Sequence, residues 1–186
     1  MNDVTLLAIS GSLREQSLNT ALLRAARKHA PPGLTIQLYE RLGDIPPYNQ
    51  DLDSAEPPEP VADLRGAITR ADGLLISSPE YNYSVSGVLK NALDWASRPG
   101  GASSLGGKPA AVMGASPGNF GTARGQMALR QVLMATRCQV LVQPELLVFG
   151  AHHRCDENGE FTDETTLALL RELLTVFRDE IRESAR

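Results

Sequence analysis

Short apolar runs alternate with amphipathic helical patterns along the whole chain, and this alternation constrains the fold more than any other feature of the sequence. Three runs are almost continuously apolar, as expected of parallel strands buried on both faces, and they lie at 4–9, 73–77 and 110–114. The run at 34–39 alternates apolar with polar residues, which is typical of an edge strand. Residues 140–142 predict a last short strand, and Pro144 just beyond it indicates a sheet edge.

Five helices are predicted between and after the strands, because apolar residues recur there at spacings of three and four. They follow Ser17, span about 61–71, 86–97 and 122–137, and end the chain after a cap at Thr162 or Asp163. The order βαβαβαβαβα predicts a single α/β domain over residues 1–186, with helices on both faces of a five-stranded parallel sheet. The strand order 2-1-3-4-5 fits this pattern, and it places a ligand at the carboxyl ends of strands one, three and four.

Charge and cysteine content indicate which binding partners and which cellular compartment to expect. The 18 basic and 22 acidic residues give a net charge of −4 without any block of like charge, so we expect neither a nucleic-acid nor a membrane partner. The two cysteines, Cys138 and Cys155, have no CxxC spacing and suggest a reducing compartment. The first residues show no basic leader, and the apolar run at 4–9 is too short to span a bilayer. We therefore expect a cytoplasmic protein.

The loop after the first strand is rich in hydrogen-bond donors. It leaves a buried strand and opens a helix, whose free N–H groups and dipole favour an anion. Hydroxyl, amide and guanidinium groups in the same loop suit a phosphate monoester, although a plain serine-capped turn is the simpler alternative. The candidate cofactor-binding residues of this loop are Ser10, Ser12, Arg14, Ser17, Asn19 and Thr20.

Two rival phosphate motifs are excluded. The first strand is not followed by G-x-G-x-x-G, which argues against a dinucleotide site of the Rossmann type. The segment Gly106-Gly107-Lys108-Pro109 lacks the hydroxyl residue and the upstream glycine of a Walker loop, and it precedes a strand instead of following one.

Two motifs carry a resemblance to a known family. Residues 11–19 read G-S-L-R-E-Q-S-L-N, and residues 79–95 read P-E-Y-N-Y-S-V-S-G-V-L-K-N-A-L-D-W. In both motifs, and in the order of its elements, the chain resembles the NADPH-dependent FMN reductase family, which includes bacterial quinone and chromate reductases. The second motif is long and highly specific.

The resemblance implies a flavodoxin-like three-layer sandwich with a bound FMN. It assigns the phosphate to Ser12, Arg14, Ser17 and Asn19, and the edge of the flavin ring to Pro79, Glu80, Tyr81 and Asn82. An irregular loop at 79–82 would expose backbone N–H groups to the flavin. The small-residue loop after the fourth strand would close over the ring, with Ser116 and Gly118 as its candidate residues. Leu89, Leu93 and Trp95 are expected in the core.

The function implied is that of an NAD(P)H-dependent, FMN-containing reductase. NADPH or NADH would supply a hydride, and a quinone or a similar small molecule would take two electrons. FMN carries this chemistry, so we expect neither a catalytic side chain nor a metal. Two alternatives stay open: a flavodoxin-type carrier of single electrons, and a flavin-dependent regulatory binding protein. The resemblance also implies a homodimer or homotetramer.

Two further sets of residues attract attention. Arg124 and Glu145 are candidates for an ion pair, either near the flavin or across a subunit contact. The segment from His152 to Cys155 is interpreted as a solvated loop, because its potential metal ligands are adjacent in sequence and have no second cluster to support them.

Overall fold

The computed structural model describes residues 3–184 as a parallel sheet between two layers of helices. The strands are β1 Val4–Ser10, β2 Leu34–Tyr39, β3 Gly73–Ser77, β4 Glu80–Tyr81, β5 Ser84–Val85, β6 Pro109–Ala115, β7 Gln139–Val140 and β8 Leu146–Val148. The α-helices are α1 Leu18–Lys28, α2 Glu59–Arg70, α3 Gly87–Ala96, α4 Ala123–Ala135 and α5 Glu164–Ser184. Short 3-10 helices lie at Leu42–Asp44, Gln50–Leu52 and Ala151–His153.

The main sheet has the order β2-β1-β3-β6, and its last position is shared by β7 and β8. β7 pairs with the beginning of β6, where Pro109 lies opposite Gln139, and β8 pairs with its end, where Met113 lies opposite Leu146. All of these pairs are parallel. The predicted order 2-1-3-4-5 and the flavodoxin-like architecture are therefore confirmed. The division of the fifth strand was not predicted. Pro144, which lacks a backbone N–H group, lies in the segment between its two halves.

The continuous apolar strands divide their side chains between two cores. Leu6 and Ala8 of β1 face a cluster that includes α1 and α5, whereas Leu7 and Ile9 face a cluster that includes α2, α3 and α4. Alternate residues of a strand point to opposite faces, so both faces of β1 must be apolar. Trp95 belongs to the second cluster and is fully buried, as expected.

The long C-terminal helix begins after a carboxylate cap. Asp163 Oδ2 accepts hydrogen bonds from the backbone N–H of Thr166 at 2.8 Å and from its hydroxyl at 2.6 Å. These bonds, with help from the Arg154 guanidinium, hold the pKa of Asp163 below its ordinary value. Of the two predicted caps, Asp163 is therefore the one that the helix uses. Within residues 3–184, none of the helices combines the length and apolarity needed to cross a bilayer.

Candidate cofactor-binding site

Three loops meet at the carboxyl edge of the sheet. They are the first loop (11–17) after β1, the hairpin loop (78–86) after β3, and the glycine loop (116–122) after β6. Backbone hydrogen bonds join their bases: Gly11 N–H donates to Ser77 O at 2.8 Å, and Ser78 N–H donates to Met113 O at 3.2 Å. The parallel order β1-β3-β6 places the three loops side by side, so the predicted binding loops share one edge.

The first loop is held by its own hydroxyl groups. Ser17 caps α1, and its Oγ accepts a hydrogen bond from Thr20 N–H at 3.3 Å. Ser10 and Thr20 share a hydroxyl hydrogen bond of 2.7 Å, and Ser10 Oγ also accepts from Ser12 N–H at 3.3 Å. Arg14 is exposed, and its guanidinium donates to the Gln16 carbonyl within the loop at 3.1 Å. The first turn of α1 thus opens onto a rigid, donor-rich loop.

Gly11 allows the first loop to approach the hairpin loop. A Cβ atom at this position would lie 2.7 Å from Ser78 Oγ and 3.1 Å from Ser86 Oγ. Any side chain would therefore push the two loops apart. Gly11 is part of the first motif but not among the predicted site residues, because the residues that it contacts are distant in sequence.

The Asn19 side chain lies against the ends of two strands, and its predicted role in phosphate binding stays a prediction. It is 3% exposed, and its Oδ1 accepts from the Ser77 hydroxyl at 2.9 Å and from Ala115 N–H at 3.0 Å. Its Nδ2 donates to Ala115 O at 3.0 Å. The ends of β3 and β6 thus hold the amide, and the backbone N–H of Asn19 lies in the first turn of α1, where N–H groups lack a partner within the helix.

The segment after β3 folds as a β-hairpin, so the prediction of an irregular loop there was wrong. Glu80 pairs with Val85 and Tyr81 with Ser84, around a two-residue turn. Asn82 and Tyr83 both have positive φ, 49° and 68°, as a type I′ turn requires. The sequence carried no Asn-Gly or Asp-Gly signal for this turn, and tyrosine is unusual in a left-handed conformation.

The Glu80 side chain turns away from the sheet edge and caps α4. Its Oε2 accepts from the N–H groups of Arg124 and Gly125, both at 3.0 Å, and its Oε1 lies 2.5 Å from the Arg124 guanidinium. The side chain is 8% exposed. Glu80 therefore stabilises the positive end of α4, and what it presents toward the sheet edge is backbone.

Three residues that the sequence reasoning did not assign to this contact complete it. A Cβ atom at Gly125 would lie 3.1 Å from Glu80 Cβ, so a glycine lets the hairpin seat on α4. The Arg124 guanidinium makes cation–π contacts with Phe120 and Tyr83, whose ring centres lie 4.2 and 3.8 Å from its central carbon.

The expected pair of Arg124 with Glu145 is wrong within the chain. Arg124 pairs with Glu80, and Glu145 lies 3.7 Å from Arg130. A pair between Arg124 and Glu145 across a subunit contact stays a prediction.

The glycine loop is supported by β8, the strand that was not predicted. Ser116 N–H donates to Val148 O at 2.9 Å, and Gly150 N–H donates to Gly118 O at 3.1 Å. Gly121 has a φ of 54° and lies against the Leu147 backbone, which a Cβ atom would meet at 2.8 Å. Contacts with β8 and with the residues just after it thus hold the loop that carries the candidates Ser116 and Gly118.

The second half of the long motif is structural. Lys90 pairs with Asp94 at 2.7 Å, as expected of residues four apart on a helix. Asn91 and Trp95 donate to the Pro46 carbonyl at 2.9 and 2.8 Å, and so fasten the proline-rich loop to α3.

The polar groups at the sheet edge fit FMN. The first loop offers hydroxyls, one guanidinium and a helix N-terminus, a donor set suited to a phosphate dianion. Cavities of about 440 Å³ and 360 Å³ flank it, the first reaching Pro117 of the glycine loop and the second lined by Ser10, Ser12 and Thr20. The hairpin and glycine loops add backbone donors and small residues for a flat ring.

Comparison with known proteins identifies the family. The model of the NADPH-dependent FMN reductase family matches residues 4–153. The chain belongs to the NADPH-dependent FMN reductase family. As a member, it is an oxidoreductase whose cofactors are FMN and NAD(P)H.

Relatives of this family member align over nearly its full length. An NAD(P)H-dependent FMN reductase of Pseudomonas aeruginosa is 45% identical over 173 residues, which are 93% of this chain and 92% of the relative. A 2-hydroxy-1,4-benzoquinone reductase of Burkholderia sp. is 41% identical over 175 residues, 94% of each chain. Among solved structures, FerB, an NAD(P)H:(acceptor) oxidoreductase of Paracoccus denitrificans, superposes with a TM-score of 0.88 at 39% identity, over 97% of this chain and 98% of FerB.

Proposed function

We propose that this reductase uses NAD(P)H to deliver two electrons to quinones or similar small acceptors. The observation that carries the proposal is the convergence of the three loops on one sheet edge, with a phosphate-type donor set in the first of them. The names of the relatives support the acceptor class, since one of them reduces 2-hydroxy-1,4-benzoquinone. FMN, when bound, supplies the redox chemistry by accepting a hydride from the nucleotide and returning two electrons to the acceptor.

The residues of the chain bind and orient the cofactor. Ser12, Arg14 and the first turn of α1 would hold the phosphate. The hydroxyls of Ser10, Ser17 and Thr20 would stabilise the loop that surrounds it. The backbone of Pro79–Asn82 would lie along the ring edge, and the segment from Ser116 to Gly118 would lie beside the ring. We assign no acid–base role to a side chain.

The carrier alternative receives less support. Electron carriers of this fold usually flank the flavin with aromatic side chains. Of the two tyrosines in the hairpin loop, Tyr83 stacks on Arg124, which leaves Tyr81 as the one tyrosine of this loop available to flank the ring.

A steady-state assay separates the reductase from the carrier and from a regulatory binding protein. The FMN-loaded protein is mixed with NADPH or NADH, and nucleotide oxidation is followed with and without a benzoquinone. We expect rapid oxidation that requires both FMN and the quinone, with one quinone consumed per nucleotide. Oxidation that needs a separate reductase protein would favour the carrier.

We also propose that the protein forms a homodimer or homotetramer. Several large apolar side chains are exposed on α4 and near the sheet edge beside it: Met127 is 65% exposed, Met134 69% and Val142 73%. Met127 and Met134 lie seven residues apart, two turns along one face of α4, and an exposed apolar helix face suits a subunit contact. Light scattering after gel filtration should give a multiple of the 20.0 kDa chain mass. A mass of one chain at micromolar concentration would contradict the proposal.

A cytoplasmic location and a single domain over residues 1–186 complete the proposal. Cys138 and Cys155 are both free, which suits a reducing compartment. Burial raises the pKa of each thiol, which keeps both in the neutral form. Fractionation of cells that express the protein should recover it with the cytoplasmic markers.

A further inference from the structure

One buried amide joins the bases of all three loops. Asn19 lies in the first turn of α1, directly after the first loop, and is 3% exposed. Its partners are Ser77, the last residue of β3, and Ala115, the last residue of β6. The hairpin loop and the glycine loop begin at the next residue in each case. Three hydrogen bonds of 2.9–3.0 Å hold these partners.

The bonding pattern ties the amide to the sheet and leaves it little freedom to turn. Both acceptor positions of Oδ1 are filled by donors, and one of the two Nδ2 hydrogens donates to a backbone carbonyl. Turning the side chain toward a phosphate would break these bonds and leave Ser77 Oγ, which is fully buried, without its acceptor. Stranding buried polar groups costs more than one new hydrogen bond returns.

We propose that Asn19 is a positioning residue that fixes the first, hairpin and glycine loops relative to one another, and that this role, more than a phosphate contact, is what its side chain contributes to flavin binding. The proposal rests on the proposed placement of FMN among these loops. Its consequence concerns both ends of the cofactor. Loss of a phosphate ligand weakens binding of the phosphate alone. Loss of a residue that holds all three loops weakens binding of the ring and the phosphate together.

Loss of the amide therefore has a distinct signature. Without these bonds the three loops are less ordered in the free protein, and the ligand must order them when it binds. The free-energy cost of this ordering weakens the binding of any flavin. We expect Asn19→Ala to weaken FMN and riboflavin by the same factor, on the order of tenfold. Arg14→Ala is the matched control, since it should weaken FMN alone.

The experiment titrates apoprotein with FMN and with riboflavin, at a temperature at which each variant is fully folded by circular dichroism. Wild type, Asn19→Ala, Ser77→Ala and the double variant form a mutant cycle. Because Ser77 Oγ donates to Asn19 alone among the residues described, the two single losses should overlap, and the double variant should bind little worse than Asn19→Ala. The visible absorption band of bound flavin should shift alike in both single variants.

The outcomes are distinguishable. Equal loss for both flavins with a non-additive cycle supports the proposal. A loss confined to FMN, as in Arg14→Ala, would make Asn19 a phosphate ligand and overturn it. A lower melting temperature with both flavin affinities unchanged would show a merely structural role and also overturn it. If Asn19→Ala does not fold, the same criteria apply to Ser77→Ala. Failure of the wild-type protein to prefer FMN over riboflavin would instead refute the proposed placement of the phosphate.

Discussion

Arg14 contributes less to holding the first loop than the hydroxyl residues around it do. The hydroxyls of Ser10, Ser17 and Thr20 are engaged with one another or with the start of α1, whereas the Arg14 guanidinium is exposed and donates to a carbonyl within its own loop. Its removal therefore probes the ligand with little effect on the fold. Ser17→Ala would be a poorer test of ligand binding, because loss of the helix cap alone costs about 1 kcal/mol of stability.

We expect Arg14→Ala to weaken FMN by about 1.5–3 kcal/mol, the typical value of a hydrogen bond to a charged group. Riboflavin lacks the phosphate and should bind as it does to the wild type. Fluorescence titration of the apoprotein measures both affinities. Arg27→Ala, which removes an exposed arginine from the last turn of the same helix, is the control and should bind both flavins normally. Equal losses for FMN and riboflavin in Arg14→Ala would place the phosphate elsewhere.

Glu80 shows that a motif residue near the site can act on an element and not on the ligand. Replacing it with alanine removes three contacts to the start of α4 and leaves Arg124 without its carboxylate. We expect Glu80→Ala to lower the free energy of unfolding by about 2–3 kcal/mol, and Glu80→Gln to lose less because its amide oxygen still accepts from the helix. Urea denaturation measures both. Glu172→Ala, an exposed acid on α5, serves as the control. An alanine variant as stable as the wild type would refute the capping role.

At the scale of elements, the cap of α5 makes a prediction about pH. The pKa of Asp163 is lowered in the folded protein, so its stabilisation is present above the ordinary aspartate pKa and is lost as the pH falls through the lower folded value. We expect Asp163→Ala to cost about 1 kcal/mol at neutral pH and progressively less below about pH 4. Asp163→Asn keeps a capping oxygen and should lose less. A cost for the alanine variant that is the same in acid as at neutral pH would contradict this account.

The elements that the sequence predicted are those that a local pattern determines. Continuous apolar runs marked β1, β3 and β6, and three- and four-residue spacing marked the helices. The hairpin at 80–85 and the strand β8 were missed for different reasons. The hairpin needs left-handed conformations at Asn82 and Tyr83, and the turn lacks the Asn-Gly or Asp-Gly pair that marks such turns in a sequence. The strand β8 has three residues, too few for a periodicity, and owes its place to pairing with the end of β6.

The sequence predicted which loops share the carboxyl edge of the sheet, but not the direction of each side chain. Loop positions follow from strand order, which the alternation of elements determines. The direction of a side chain depends on its neighbours in space: Asn19 turns toward β3 and β6, and Glu80 turns toward α4. Neither neighbour is close in sequence. In this chain, the side chains of both motif residues make contacts that hold elements together.

As a reductase, the complete chain must bind FMN, accept reducing equivalents from NAD(P)H and pass them on to an acceptor. A single anaerobic absorbance experiment tests all three steps. Purified protein is reconstituted with FMN and freed of unbound flavin. It is then titrated with NADPH and afterwards with a benzoquinone, while the visible flavin bands are recorded. We expect retained flavin bands that one equivalent of NADPH bleaches and one equivalent of quinone restores. Protein that retains no flavin, or flavin bands that neither NADPH nor NADH bleaches, would contradict the account.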